Sequence, residues 1–272
     1  MSKKNREAHK DVLYAFIAII VSLTIYKTLG QLVRNAIDNM YLSAFAAQLI
    51  FAIPVFIAVI LLKKTDIYRT DIDRLKKGWT AGLLFLIMSL LTVIEIILGG
   101  VKPTAGPVEI LLFVMQMFLI GYCEETLYRG LLQNAFHRFF GESAPSAVRT
   151  AVFLTGIIFG LSHLLNVFNP NISFGTAAMQ AIGAAAMGCY MCAVYYRTGK
   201  SLWFLVAFHA LIDGVINIRQ GVLSGVSEAD AITAGMVTGA VYIFGPMLFY
   251  GLITLFLLRR KKLEPLLEKG SS

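Results

Sequence analysis

Charge is what this chain has least of. Only 15% of its 272 residues are Asp, Glu, Lys or Arg, while 57% are hydrophobic. Soluble domains carry about a quarter charged residues, and a water-soluble globule has no way to hide that much apolar surface. Cysteine is also scarce. Cys123, Cys189 and Cys192 all fall inside apolar segments, which excludes a disulfide framework and leaves the thiols as small hydrophobes. Cys189 and Cys192 form a C-x-x-C, but no strand and turn of the redox type precede it, so core packing is expected. No period of 20 to 50 residues recurs and no low-complexity tract is present, which excludes solenoids and arrays. Nineteen Phe and ten Met exclude a disordered tail. Acidic residues are outnumbered, giving a net charge of +8. The basic residues cluster between apolar runs and not along one helix face. Their expected partner is therefore the anionic headgroups of membrane lipids, and not nucleic acid.

What is present is a series of long apolar runs. A spanning helix needs about 20 apolar residues, and eight runs approach that length: Val12 to Leu29, Leu42 to Leu62, Thr80 to Leu98, Val108 to Phe136, Ala147 to Leu165, Phe174 to Tyr196, Leu202 to Ile218 and Ala231 to Leu258. The expected fold is all-α: a polytopic membrane protein of about eight transmembrane helices. It reads as one integral membrane domain over residues 1–272, multi-pass in a cell membrane. Lys3, Lys4, Arg6 and Lys10 precede the first run, which is too long for a signal-peptide h-region and has no small-residue cleavage site, so an uncleaved anchor is expected. With the N-terminus cytoplasmic, nineteen Lys and Arg fall in cytoplasmic segments and four in outer loops. By the positive-inside bias, both termini are then cytoplasmic. Gly156 with Gly160, and Gly235 with Gly239, keep the four-residue spacing that lets helices approach closely in lipid.

An ionisable side chain at the centre of a spanning helix costs at least ~2.5 kcal/mol, so each is a candidate for function. The fourth run carries three within six residues, Glu124, Glu125 and Arg129. Glu125 and Arg129 lie one helical turn apart on one face and can form a structural ion pair. Glu124 points about 100° away, with no cation near it in sequence. That leaves it free to serve as a general base, or to pair with a polar group on another helix. Phe159 and His163 stand one turn apart in the fifth run, His209 and Asp213 in the seventh. Glu124, His163 and Asp213 each lie roughly 20 Å along their helices from the nearest basic residue expected at the cytoplasmic face, and His209 about 14 Å, so the four can meet at one level. His9 and His137 fall in the flanks and read as surface residues. Glu95 and Glu109 lie near run ends, where headgroup water is reachable.

Glu-Glu-x-x-x-Arg, Phe-x-x-x-His and His-x-x-x-Asp, in that order from Glu124 to Asp213, resemble the three motifs of the CAAX protease family, which includes Abi and bacteriocin-processing relatives. The resemblance centres on a motif-bearing core of about 108–218. It implies an intramembrane endopeptidase acting on a membrane-associated peptide or protein. Carried over, Glu124 and His163 activate water, Glu125 and Arg129 hold the helix, and His209 with Asp213 stabilises the oxyanion. Where the family has Asn, the amide can donate a hydrogen bond, whereas an ionised Asp only accepts. Asp213 is therefore protonated, orients His209, or helps to bind a cation. Members of the family are often termed metalloproteases, and Glu124, His163, His209 and Asp213 are a reasonable donor set for Zn²⁺. The H-E-x-x-H helix of soluble zinc proteases is absent, and a metal-free Glu/His mechanism is favoured. Two other functions fit the same residues: a non-catalytic immunity or regulatory partner, in which the cluster only cements helices, and a proton-relaying transporter. The transporter is the weaker, since no inverted repeat or pair of broken helices is apparent.

Overall fold

The computed structural model describes residues 3–70, 103–141, 143–169, 172–223 and 249–268, with a few positions between 86 and 98. All regular structure among them is helical. Five helices are long and apolar enough to cross a membrane: α1 (Asn5–Ala36), α2 (Met40–Leu61), α3 (Pro107–Phe140), α4 (Pro145–Phe168) and α5 (Phe174–Arg197). A sixth, α6 (Leu202–Ile218), is shorter, residues 249–257 are helical, and α7 (Arg260–Glu268) closes the described chain. Most of the third and eighth apolar runs, and Glu95, Gly235 and Gly239, lie outside the described residues. Where runs and helices can be compared, α1 and α3 overshoot their apolar segments at both ends. Backbone hydrogen bonding continues a helix past the point where side chains turn polar, so hydropathy finds its middle better than its limits.

Local chemistry sets the helix starts. The Asn39 side chain accepts hydrogen bonds from the Tyr41 and Leu42 amides at the head of α2, and Pro107 and Pro145 open α3 and α4, where a missing N–H costs nothing. Apolar faces turn outward along α1 and α2, with Ile20, Ile53 and Phe56 exposed, as lipid-facing helices require. Inside, α4 and α5 pack closely through the small-residue pair seen in the sequence. A β-carbon at Gly156 would lie 2.5 Å from the Cys189 backbone nitrogen, and one at Gly160 2.5 Å from the Ala181 carbonyl oxygen. All three cysteines are free and buried.

Helix α3 is the axis of the arrangement. α6 and the π-helical turn Arg219–Leu223 that extends it run antiparallel along it, bringing Met117 against Gly214 and Phe113 against Gly221, while Leu127, Leu131 and Leu132 are buried in the main core. The basic residues gather at one end. Asp11 of α1 pairs with Arg138 of α3 at 2.6 Å and with Lys64 beyond α2 at 3.2 Å. Arg149, a few residues after the end of α3, donates to the Leu258 carbonyl. The beginning of α1 and the segment around residue 258 therefore share the end of the bundle marked by Arg138 and Arg149.

Candidate functional site

From Glu125 to Gln133 the backbone of α3 is π-helical, with i→i+5 hydrogen bonds that widen the turn, a geometry frequent at functional sites. The segment opens just after Glu124 and carries Glu125 and Arg129 fully into the interior, each with 0% side-chain exposure. The ion pair expected from their spacing is formed, with an Arg129 Nη1–H donating to Glu125 Oε1 at 3.0 Å. Arg129 also donates through Nη2 to the Gly188 carbonyl of α5 at 3.2 Å. Its guanidinium carbon stands 4.6 Å from the centre of the Phe159 ring, in a cation–π contact.

His209 comes to this pair from α6. Its approach depends on Gly121, where a β-carbon would meet the Val206 carbonyl oxygen at 2.7 Å and His209 Cβ at 3.4 Å. Any larger residue would push α6 away. His209 Nδ1 donates to Glu125 Oε1 at 2.7 Å. Its Nε2 faces Asp213 Oδ2 at 3.3 Å and Glu124 Oε2 at 3.6 Å. The imidazole thus bridges a sealed carboxylate to two that keep 22% of their side-chain surface open. Asp213 lies one helical turn from His209, within reach of its Nε2. Glu124, left either free or paired across helices by the sequence, faces the His209 imidazole of another helix.

His163 joins the cluster through an aromatic ring. It sits where α4 tightens from α to 3₁₀ geometry, and its Nδ1 lies 2.9 Å from the Phe159 carbonyl oxygen. A carbonyl only accepts, so Nδ1 carries the proton and Nε2 is left with its lone pair. The Phe159 ring packs edge-on against His163 at 4.8 Å, His209 at 6.4 Å and Tyr128 at 5.0 Å between centroids. The structure therefore brings Glu124, Glu125, Arg129, His209 and Asp213 into direct contact and sets His163 beside them across Phe159. No hydrogen bond links His163 to Glu124. Sequence reasoning placed Phe159 in a motif but gave it no task; its position one turn before His163 was the available signal.

A metal would find a poor donor set here. His209 engages the sealed Glu125 through Nδ1, and His163 stands across Phe159 from the other three candidates. Among the described residues no three His, Cys, Asp or Glu side chains are arranged to hold an ion. Glu124, His163, His209 and Asp213 are not gathered as a ligand set in this arrangement.

Two flanking residues differ from expectation or refine it. His137 is buried at 1% exposure, not at the surface. The overshoot of α3 packs it 5.1 Å from the Tyr196 ring of α5, and Gln133 Nε2 donates to its Nε2 at 3.2 Å. Glu109, in the first turn of α3 and partly exposed, is at the helix N-terminus, where a carboxylate is favoured by the helix dipole. His9 is exposed, as expected.

Comparison with known proteins bears on the same helices. Residues 106–215 match the family model described as Rce1-like, type II CAAX prenyl endopeptidase. That stretch runs from the start of α3 into α6 and contains all three motifs, in agreement with the resemblance read from them. No curated protein and no solved structure matches the chain.

Proposed function

We propose that this protein is an intramembrane endopeptidase of the CAAX type, hydrolysing a peptide bond of a membrane-associated protein or peptide with water activated by Glu124 and His163. One observation carries the reading. Within the stretch that matches a protease family, a partly open group of carboxylates and imidazoles is backed by a sealed ion pair.

The chemistry follows from which atoms accept and which donate. The Glu124 carboxylate and His163 Nε2 are both acceptors, so a water molecule between them donates one hydrogen to each and presents its oxygen to a carbonyl carbon. As that oxygen attacks, one O–H bond breaks, its proton passes to Glu124, and a C–O bond forms. Negative charge then develops on the former carbonyl oxygen, and His209 Nε2–H, turning from Asp213, donates to it. Collapse of the intermediate breaks the C–N bond, and Glu124 returns its proton to the departing amine. Glu125, fixed by Arg129, holds Nδ1 of His209 throughout.

The common end shared by the start of α1 and residue 258 supports an even number of crossings. With the positive-inside bias, it supports eight spans with both termini cytoplasmic in a cell membrane. Comparative peptidomics of membranes carrying wild type or Glu124→Ala tests the proposal. Peptides lost from the variant identify substrate and activity together. Identical peptidomes, with the variant accumulating normally, would refute the enzyme and favour a non-catalytic partner role.

A further inference from the structure

Far from the acidic cluster, four cations from three parts of the chain converge where the last helix bends. Arg149, near the start of α4, donates through Nε to the Leu258 carbonyl at 2.9 Å. Arg197, the last residue of α5, donates through Nη1 to the Lys262 carbonyl at 3.4 Å. Arg259 and Lys262 share one aromatic ring, the guanidinium carbon and the ammonium nitrogen each lying 4.2 Å from the centre of Phe256. Each guanidinium has five N–H donors, and these contacts use one from Arg149 and one from Arg197. None of the four cations forms an ion pair among the described residues. Their neighbour Arg260 does, reaching Glu264 at 2.6 Å.

Such a gathering opposes itself electrostatically. Burial, together with the charges of Arg197 and Arg259, holds the Lys262 ammonium below the ordinary lysine value. The Phe256 ring face offsets only part of that repulsion. Topogenic lysines and arginines need only lie on the correct side of the bilayer; they have no reason to crowd around one ring. A bound anion with several acceptor oxygens would relieve the crowding and satisfy the remaining donors, and guanidinium forks suit phosphate oxygens in particular. The adjoining surface says what else the anion carries. Leu252, Leu255 and Phe256, on the preceding turns, are 65%, 59% and 48% exposed, an apolar strip leading straight to the cations.

We propose that Arg149, Arg197, Arg259 and Lys262 form a binding site for the phosphate of an anionic phospholipid, whose acyl chains lie along Leu252, Leu255 and Phe256. The test uses the full chain in neutral detergent, titrated with dioctanoyl phosphatidylglycerol, dioctanoyl phosphatidylcholine or inorganic phosphate. Thermal midpoint and native mass spectrometry are the readouts. Phosphatidylglycerol is expected to raise the midpoint and bind at one copy, and the other two are not. A charge-assisted hydrogen bond contributes ~1.5–3 kcal/mol, so Arg259→Gln, at an exposed position, or Lys262→Gln, at a partly exposed one, should weaken that binding about tenfold or more. Arg260→Gln, whose charge is already answered, should leave it within about twofold. Equal shifts with phosphatidylcholine would overturn the site, and so would an Arg260→Gln loss as large as that of Lys262→Gln. Inorganic phosphate binding as tightly as the lipid would show that the acyl strip contributes nothing and would overturn the lipid assignment.

Discussion

Helix α3 carries two groups of buried polar side chains within a few turns, and they are built differently. Glu124, Glu125 and Arg129 are answered by side chains of another helix, His209 and Asp213, and part of the group stays open at Glu124 and Asp213. Gln133, Asn134 and His137 contain no carboxylate and are sealed at 0%, 9% and 1% exposure. Gln133 donates to the Cys192 carbonyl at 2.9 Å, and Asn134 to the Gly130 carbonyl and the Tyr195 hydroxyl, each at 2.9 Å. Both groups are expensive to place in a membrane bundle. Only the first combines charge with an opening, so burial alone marks packing as readily as chemistry.

The sharpest way to break that contrast is Glu124→Gln set beside Gln133→Leu. Removing a general base costs about 10²–10⁴-fold in rate, so Glu124→Gln should lose that much peptidase activity with its thermal midpoint almost unchanged, because the side chain is partly solvated. Gln133→Leu should do the reverse, keeping its rate within about twofold while losing ~1–3 kcal/mol of stability with the hydrogen bonds to Cys192 and His137. Full activity in Glu124→Gln, or inactivity in a folded Gln133→Leu, would erase the distinction.

Next in size is the sealed pair. Removing one partner of a buried ion pair typically costs ~3–5 kcal/mol, whereas replacing both with apolar residues is often neutral. Arg129→Met alone should therefore destabilise strongly in detergent unfolding. Glu125→Leu combined with Arg129→Met should regain most of that loss. Activity should not return with stability, because His209 has then lost the acceptor for its Nδ1–H. A double variant that is both stable and active would reduce Glu125 and Arg129 to cement.

The sequence made this ion pair legible because its partners are four residues apart on one element, and helical geometry alone puts them together. The membrane class and the helices over six of the eight apolar runs, five of them long enough to span, were readable for a similar reason, hydropathy being a local property. What joins helices was not readable. That His209 bridges Glu125 to Asp213 and Glu124 depends on how closely α6 approaches Gly121, which no single run of residues reports. The surface reading of His137 failed for the same cause. Distance from an apolar run says nothing about whether the overshooting end of α3 meets α5. The small-residue spacing at Gly156 and Gly160 was the exception, since a local pattern there stands for a contact between helices.

The smallest effect is expected at Phe159, the ring between the open and sealed parts of the site. Its face holds the Arg129 guanidinium and its carbonyl fixes the tautomer of His163. The carbonyl survives any substitution, so changing the side chain isolates the ring. Phe159→Leu keeps an apolar filling but removes the π face. A cation–π contact contributes ~0.5–2 kcal/mol depending on its desolvation, and about 1.4 kcal/mol is tenfold in rate. If Arg129 then loosens its hold on Glu125, and Glu125 on His209, kcat should fall several-fold with KM little changed, since the Phe159 ring is buried at 2% exposure. The pH profile of kcat should shift as well, because the carboxylates around His209 would no longer be held in register. Phe159→Trp, which restores a π face, should recover much of the rate if the wider ring is accommodated. Were leucine and tryptophan to lower the rate equally without moving the pH profile, Phe159 would be packing like any core residue, and the two parts of the site would be coupled through His209 alone.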